Sequence, residues 1–206
     1  QAMLKGVNRP VSLVPVYIGY ENVMEVKSYL NELKGSKKKK ESNLQVFTAI
    51  RKLKNYGHGY VNFGEPIQLN QFLESHVPNW RECRDAEPEK KPAWLTPAVN
   101  ELANNVMTRI NRAAALNGMA LVSLCLLSSK TQTMSESELK QAMSDFIDLF
   151  KRAPFSADAT IPDASAETLL SDTLQLGRFD ITEDDYGKLI SPQPKSAVYL
   201  TYYRNN

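Results

Sequence analysis

The sequence holds little of what metal, redox or disulfide chemistry requires. Of 206 residues two are cysteine, Cys83 and Cys125, and two are histidine, His58 and His76. Cys83 sits in a charged stretch and Cys125 in an apolar run, so their spacing suggests neither a disulfide framework nor a metal site. A reducing, cytoplasmic setting is the default expectation, and no secretory signal pattern is present. Long apolar runs are missing too. The most membrane-like stretch, Ala113 to Leu127, is shorter than the roughly 20 apolar residues of a spanning helix. Asn117-Gly118 interrupts it and Arg109 and Arg112 precede it, so it reads as a buried core helix. The chain has no internal repeat. It opens on Gln1, and Tyr202 to Asn206 has no tail-like composition, so both ends read as cuts in a longer protein.

What is present is ordinary in bulk and uneven in distribution. A hydrophobic share of 42% and a charged share of 23% exclude a collagen, a coiled coil or wholesale disorder. The net charge of +2 conceals an asymmetry: residues 1–60 carry 11 Lys and Arg against 4 Asp and Glu, and residues 61–206 carry 14 against 19. The basic first part should face an anionic partner. Its sharpest feature is Lys37-Lys38-Lys39-Lys40, reinforced by Arg51, Lys52 and Lys54. Such a run suits phosphates or anionic lipid head groups, at roughly 1 kcal/mol per residue near an anionic membrane. The plainer reading is a solvated loop.

Along the chain the pattern is α/β followed by mainly α. Val11 to Tyr20 is almost continuously apolar, as in a strand of a parallel sheet buried on both faces, with Pro15 placing it at an edge or breaking it. Val23, Val26, Leu30 and Leu33 recur at helical spacing, and Ser42 with Gln45 opens a second helix. Tyr60 to Phe63 is a short strand ended by Gly64-Glu65-Pro66, so strand, helical crossover and strand predict a parallel unit. The division expected is residues 1–77, a proline-rich linker over 78–96, and a helical domain over 97–206. Trp80 and Trp94 should pin the linker.

In the last part Thr96 is expected to cap a helix with Pro97 at its first position and Val99, Leu102, Val106, Ile110 and Ala113 on one face. Ser135 and Glu138 form a capping-box pattern before a helix with Leu139, Met143, Phe146, Ile147 and Phe150 inward. Leu169, Leu170 and Leu174 mark a third helix that stops at Gly177. Phe179 to Ile181 and Lys188 to Ile190 flank a turn-rich stretch and predict a hairpin, in a winged-helix-like arrangement.

Three landmarks carry a resemblance. Leu13-Val14-Pro15-Val16-Tyr17-Ile18-Gly19-Tyr20-Glu21 resembles the fourth conserved block of the glycerol-phosphate acyltransferases, a short apolar strand interrupted by proline. Lys40-Glu41-Ser42 and Tyr60-Val61-Asn62-Phe63-Gly64-Glu65-Pro66-Ile67 resemble later landmarks of the same domain, in the same order. Pro92 to Pro97 and Leu200 to Asn206 are similar to the large bacterial membrane enzyme of that family. The resemblance implies that residues 1–77 are the C-terminal part of the acyltransferase α/β domain and that 97–206 support it. It implies transfer of a fatty acyl group from acyl-CoA or acyl carrier protein to glycerol 3-phosphate, in phospholipid biosynthesis at the cytoplasmic face of the inner membrane. The acyl donor is a substrate, and no cofactor or metal is implied. Pro15, Tyr17 and Lys37 to Lys40 become the substrate-contact candidates, and Val14, Val16, Ile18, Gly64, Glu65 and Pro66 the structural motif around them.

The family's general base is a histidine held by an aspartate five residues later, an arrangement that fixes an imidazole tautomer for deprotonating a hydroxyl. Here Phe63 and Arg81 stand five residues beyond His58 and His76, so neither histidine makes that pair. The base and the glycerol-phosphate blocks are expected upstream of Gln1, and this chain alone is expected to be inactive. His58, between two glycines, reads as a turn residue. Two other classes compete. A winged-helix nucleic-acid binder should carry cations on its recognition helix. Ser165 to Leu176 instead carries Glu167 and Asp172 and no Lys or Arg, so no nucleic-acid partner is expected. The other class is a non-catalytic interaction domain.

Overall fold

A computed structural model describes residues 9–22, 56–82, 92–185, 187–194 and 197–204. The helices expected over residues 23–55, the lysine run Lys37 to Lys40, and Cys83 lie outside these residues. The chain divides into two compact units. One comprises Gln1–Tyr17, Val61–Ala114 and Ser156–Asp158, the other Ile18–Tyr60, Ala115–Phe155 and Ala159–Asn206.

Pro15 breaks the first apolar run, as expected of a residue that cannot donate to a ladder. β1 (Ser12–Leu13) precedes it and β2 (Val16–Tyr20) follows. β1 pairs antiparallel with β4 (Ile67–Gln68), Leu13 opposite Ile67. β2 pairs with β3 (Gly59–Phe63). The bonds closing that pair, Gly64 N–H to Pro15 O at 2.9 Å and Glu21 N–H to His58 O at 3.2 Å, run in opposite chain order, so the strands are antiparallel. This corrects the parallel unit. The chain leaves β2 and enters β3 at the same end, which removes the need for a crossover. Burial on both faces is corrected as well. Tyr17 and Gly19 are buried while Ile18 is 56% exposed, the alternation of a strand covered on one side.

In the first unit α1 (Leu69–His76) and α2 (Leu95–Arg112) complete the core. Ile67, Phe72, Leu73 and Trp80 are buried together, with Trp94, Leu102 and Val106 packed on them. Both tryptophans thus hold the flanks of the expected linker. The inward row of α2 runs through Ala98, Leu102 and Val106, four residues apart, so Val99 falls just outside it and is exposed. Thr96 is not the cap. Trp94 occupies that position without a side-chain bond, and Pro97 lies in the first turn, where a missing N–H costs nothing.

In the second unit α3 (Gly118–Ser128) is apolar on nearly every side and is central, as such a helix must be. Met119, Leu121, Val122, Cys125 and Leu126 pack against Leu139, Met143 and Ile147 of α4 (Glu136–Arg152) and Leu169 and Leu170 of α5 (Ala166–Gln175). Each such buried side chain contributes roughly 1.5–3 kcal/mol. Leu200 and Tyr203 of α6 (Ala197–Arg204) join the same cluster. Gly118 permits the closest approach. A Cβ there would collide with Thr173 Oγ1 and stand 2.9 Å from Leu169 O. Burial pushes the Cys125 thiol up to about 11, so near neutrality it is protonated and unreactive.

The expected Ser135–Glu138 capping box and the hairpin are present. Ser135 Oγ accepts from Glu138 N–H at 3.2 Å, and Glu138 Oε2 accepts from Ser135 N–H at 3.0 Å. Gly177 ends α5 with φ of 65°. β6 (Phe179–Asp184) and β7 (Gly187–Pro192) pair antiparallel from Phe179↔Pro192 to Asp184↔Gly187. β5 (Met134–Ser135) joins them in the order β5-β7-β6. Among the described residues no helix is long and apolar enough to cross a membrane.

Candidate functional site

Within the first unit, the residues of the expected motif gather where β3 ends against α2. Pro15 is fully buried, and its carbonyl accepts from Gly64 N–H. Tyr17 is buried, Val16 is half-buried and Val14 is exposed. Gly64 is buried because backbone crosses it closely: a Cβ would meet Arg109 O at 3.0 Å and Pro15 Cβ at 3.4 Å. Glu65 and Pro66 are exposed, but their carbonyls are held. Arg109, in the last turn of α2, donates from Nη1 to Glu65 O at 2.8 Å and to Pro66 O at 3.0 Å. Asn105 Oδ1 accepts from Arg109 Nε at 2.9 Å, which fixes the plane of the guanidinium. Asn62 Nδ2 donates to Ala113 O at 2.8 Å, supplying a partner to a carbonyl at the helix end.

Sequence reading treated Arg109 only as a charge flanking an apolar run and gave Asn62 no role. The available signal was the placement of Arg109 in the last turn of a helix, where cations are favoured. Its target, two carbonyls more than 40 residues earlier, has no local signature.

Within the second unit a different cluster forms around Glu21, which is 3% exposed. Its carboxylate accepts from His58 N–H at 2.8 Å and from the Tyr60 hydroxyl at 2.9 Å, and His58 Nδ1 lies 3.2 Å from Oε2. Gly57, at φ 69°, leaves room for that carboxylate, which a Cβ would strike. Asn22 accepts from Arg178 at 2.6 Å. A buried carboxylate satisfied by several donors is a strap for the backbone it binds. The His58 side chain is 68% exposed, and its carboxylate neighbour is already engaged elsewhere. The cluster therefore orders the start of β3, in keeping with His58 as a turn residue. His76 is bound locally, stacked on Phe72 at 4.1 Å with Nδ1 2.8 Å from Phe72 O. Among the described residues no group of three or more His, Cys, Asp or Glu could hold a metal ion.

Residues 29–206 match the family described as the glycerol-3-phosphate acyltransferase C-terminal region. The chain belongs to this family. Three curated relatives named glycerol-3-phosphate acyltransferase align with all 206 residues: that of Alteromonas mediterranea at 90% identity, of Pseudoalteromonas atlantica at 58% and of Aeromonas hydrophila at 51%. The chain spans 25% of the length of each. The resemblance read from the sequence motifs is thereby established for nearly the whole chain. As a glycerol-3-phosphate acyltransferase C-terminal region, it contributes an ordered strand exit gripped by a helix end.

Proposed function

We propose that the full-length protein containing this chain is a glycerol-3-phosphate 1-O-acyltransferase. It takes a fatty acyl group from acyl-CoA or acyl carrier protein and supplies phospholipid biosynthesis at the cytoplasmic face of a bacterial inner membrane. The carrying observation is the alignment of the whole chain, at 90% identity, with a relative bearing that name. Pro15 and Tyr17 shape the wall of the acyl-donor site, and Lys37 to Lys40 meet the phosphates of substrate or of lipid. The exposed Val61 and Phe63 of β3 support a further part of the protein covering these strands, since apolar side chains of that size mark contact surfaces.

In this reading residues 1–77 belong to the acyltransferase domain by role, 78–96 link, and 97–206 support. α2 also packs on the strands, so the supporting part begins by bracing the catalytic one. The helix, strand, helix, helix and hairpin order of α3, β5, α4, α5, β6 and β7, with sheet order β5-β7-β6, supports a winged-helix-like supporting domain. Its role is scaffolding rather than nucleic-acid binding, given Glu167 and Asp172 on α5 and the acidic Glu183, Asp184 and Asp185 at the hairpin. Incubating the purified chain with labelled glycerol 3-phosphate and palmitoyl-CoA tests the division of labour. No turnover is expected without the general base, and turnover above background would contradict it.

A further inference from the structure

The exit of β3 is held from two sides, by Arg109 and by Asn62. The Arg109 side chain is 23% exposed, and its bonds to Glu65 O and Pro66 O are charge-assisted because the donor is a guanidinium. The Glu65 carboxylate, 3.2 Å away but 74% exposed, adds little. Both carbonyls are met by one nitrogen, Nη1, which the Nε bond to Asn105 Oδ1 aims at them. On the other side Asn62 ties β3 to Ala113 O, and between the two side chains Gly64 donates to Pro15 O and leaves little room for a Cβ beside Arg109 O. Helix end, strand exit and proline form one stack without slack.

We infer that Arg109 is a positioning residue for the acyl-transfer reaction: it fixes residues 64–66 and, through Gly64, the strand end that bears Pro15. The inference rests on the acyltransferase reading, which puts Pro15 beside the acyl donor. Arg109 touches no reacting atom and acts through the backbone. A lysine ammonium could donate to those carbonyls but has no Nε–H for Asn105 Oδ1 and no rigid plane to aim it, so Arg109→Lys is not conservative here. Misplacement of a reacting group by about 1 Å can cost on the order of a hundredfold in rate, and a slackened strand end is a fraction of that.

The test is steady-state kinetics of the full-length protein, varying palmitoyl-CoA and glycerol 3-phosphate separately, for the native enzyme, Arg109→Lys and Arg109→Ala. The folded fraction is measured alongside. For Arg109→Lys, kcat/KM for palmitoyl-CoA should fall about tenfold, with KM for glycerol 3-phosphate unchanged within about twofold and the folded fraction intact. Arg109→Ala should fall further. Activity lost only in step with folded protein, both KM values moving together, or kinetics like those of the native enzyme would each overturn the inference. Where Arg109→Ala does not fold, Arg109→Lys decides by the same criteria. A native enzyme without turnover would contradict the acyltransferase reading and this inference together, whereas an active one indifferent to Arg109→Lys would contradict the inference alone.

Discussion

Replacing Gly64 with alanine tests whether the strand exit and the α2 end truly touch. Gly64 does not lie in the left-handed region, so alanine can adopt its backbone. By restricting the unfolded chain, alanine should then stabilise by about 0.4–1 kcal/mol. Against that, the new Cβ would stand 3.0 Å from Arg109 O and 3.4 Å from Pro15 Cβ. Neither neighbour is the free end of a flexible side chain. Arg109 O also accepts from Ala113 N–H at 3.2 Å, and Pro15 is fully buried, so the strand itself must shift. Overpacking of this kind costs about 1–3 kcal/mol, leaving a net loss of up to about 2.6 kcal/mol and about 1.3 kcal/mol at mid-range. Urea unfolding followed by tryptophan fluorescence is the assay, because Trp80 lies in the core of this unit and Trp94 packs against it. Gly59→Ala is the control, since its Cβ would meet only the Tyr20 ring at 3.6 Å, and it should be neutral or slightly stabilising. A Gly64→Ala midpoint equal to or above the native one, at unchanged slope, would refute the close-contact argument.

Pro15→Ala in the full-length enzyme should lower turnover more than it lowers the unfolding midpoint; equal losses would make the proline purely structural. Changing Lys37, Lys38, Lys39 and Lys40 to glutamine should raise KM for a phosphorylated substrate or weaken binding to anionic vesicles. Either effect should fade with salt as the screening length drops to about 3 Å at 1 M, and no change at low salt would leave a solvated loop. Ser135→Ala should cost about 1 kcal/mol in chemical denaturation. The Ser135 hydroxyl, and then its backbone N–H, hold the Glu138 carboxyl below its ordinary range. The stability this linkage supplies is therefore present above the unfolded value and lost as pH falls through the lowered folded one. Ser135→Ala should flatten that acid-side loss, and an unchanged acid limb would contradict it. Duplex DNA titrated at low salt should not bind, and micromolar binding that weakens steeply with salt would revive a nucleic-acid role.

Local rules made the second unit legible. The Ser135–Glu138 box, the Gly177 stop, the β6–β7 hairpin and the central helix over 118–128 all follow from residues within a turn or two of each other. The first unit was harder, because its decisive contacts are distant in sequence. A continuous apolar run is equally compatible with parallel and antiparallel pairing, so the strand direction was not in the string. It follows from Glu21 and Pro15, whose partners His58 and Gly64 lie 37 and 49 residues on. Val99 was misplaced because the inward row runs through Ala98, Leu102 and Val106, and an apolar residue next to Ala98 fits the same periodicity in the sequence. The motif residues Pro15 and Gly64 were visible in sequence, but the arginine and asparagine that lock them were not. A side chain reaching a backbone carbonyl leaves no pattern in composition or periodicity.

The most direct measurement is the initial rate of the full-length protein, reconstituted with phospholipid, with palmitoyl-CoA and labelled glycerol 3-phosphate, followed by analysis of the acylated position. The account predicts enzyme-dependent formation of 1-acyl-glycerol 3-phosphate. A folded full-length protein that forms no acylated glycerol phosphate from either acyl-CoA or acyl carrier protein would contradict it.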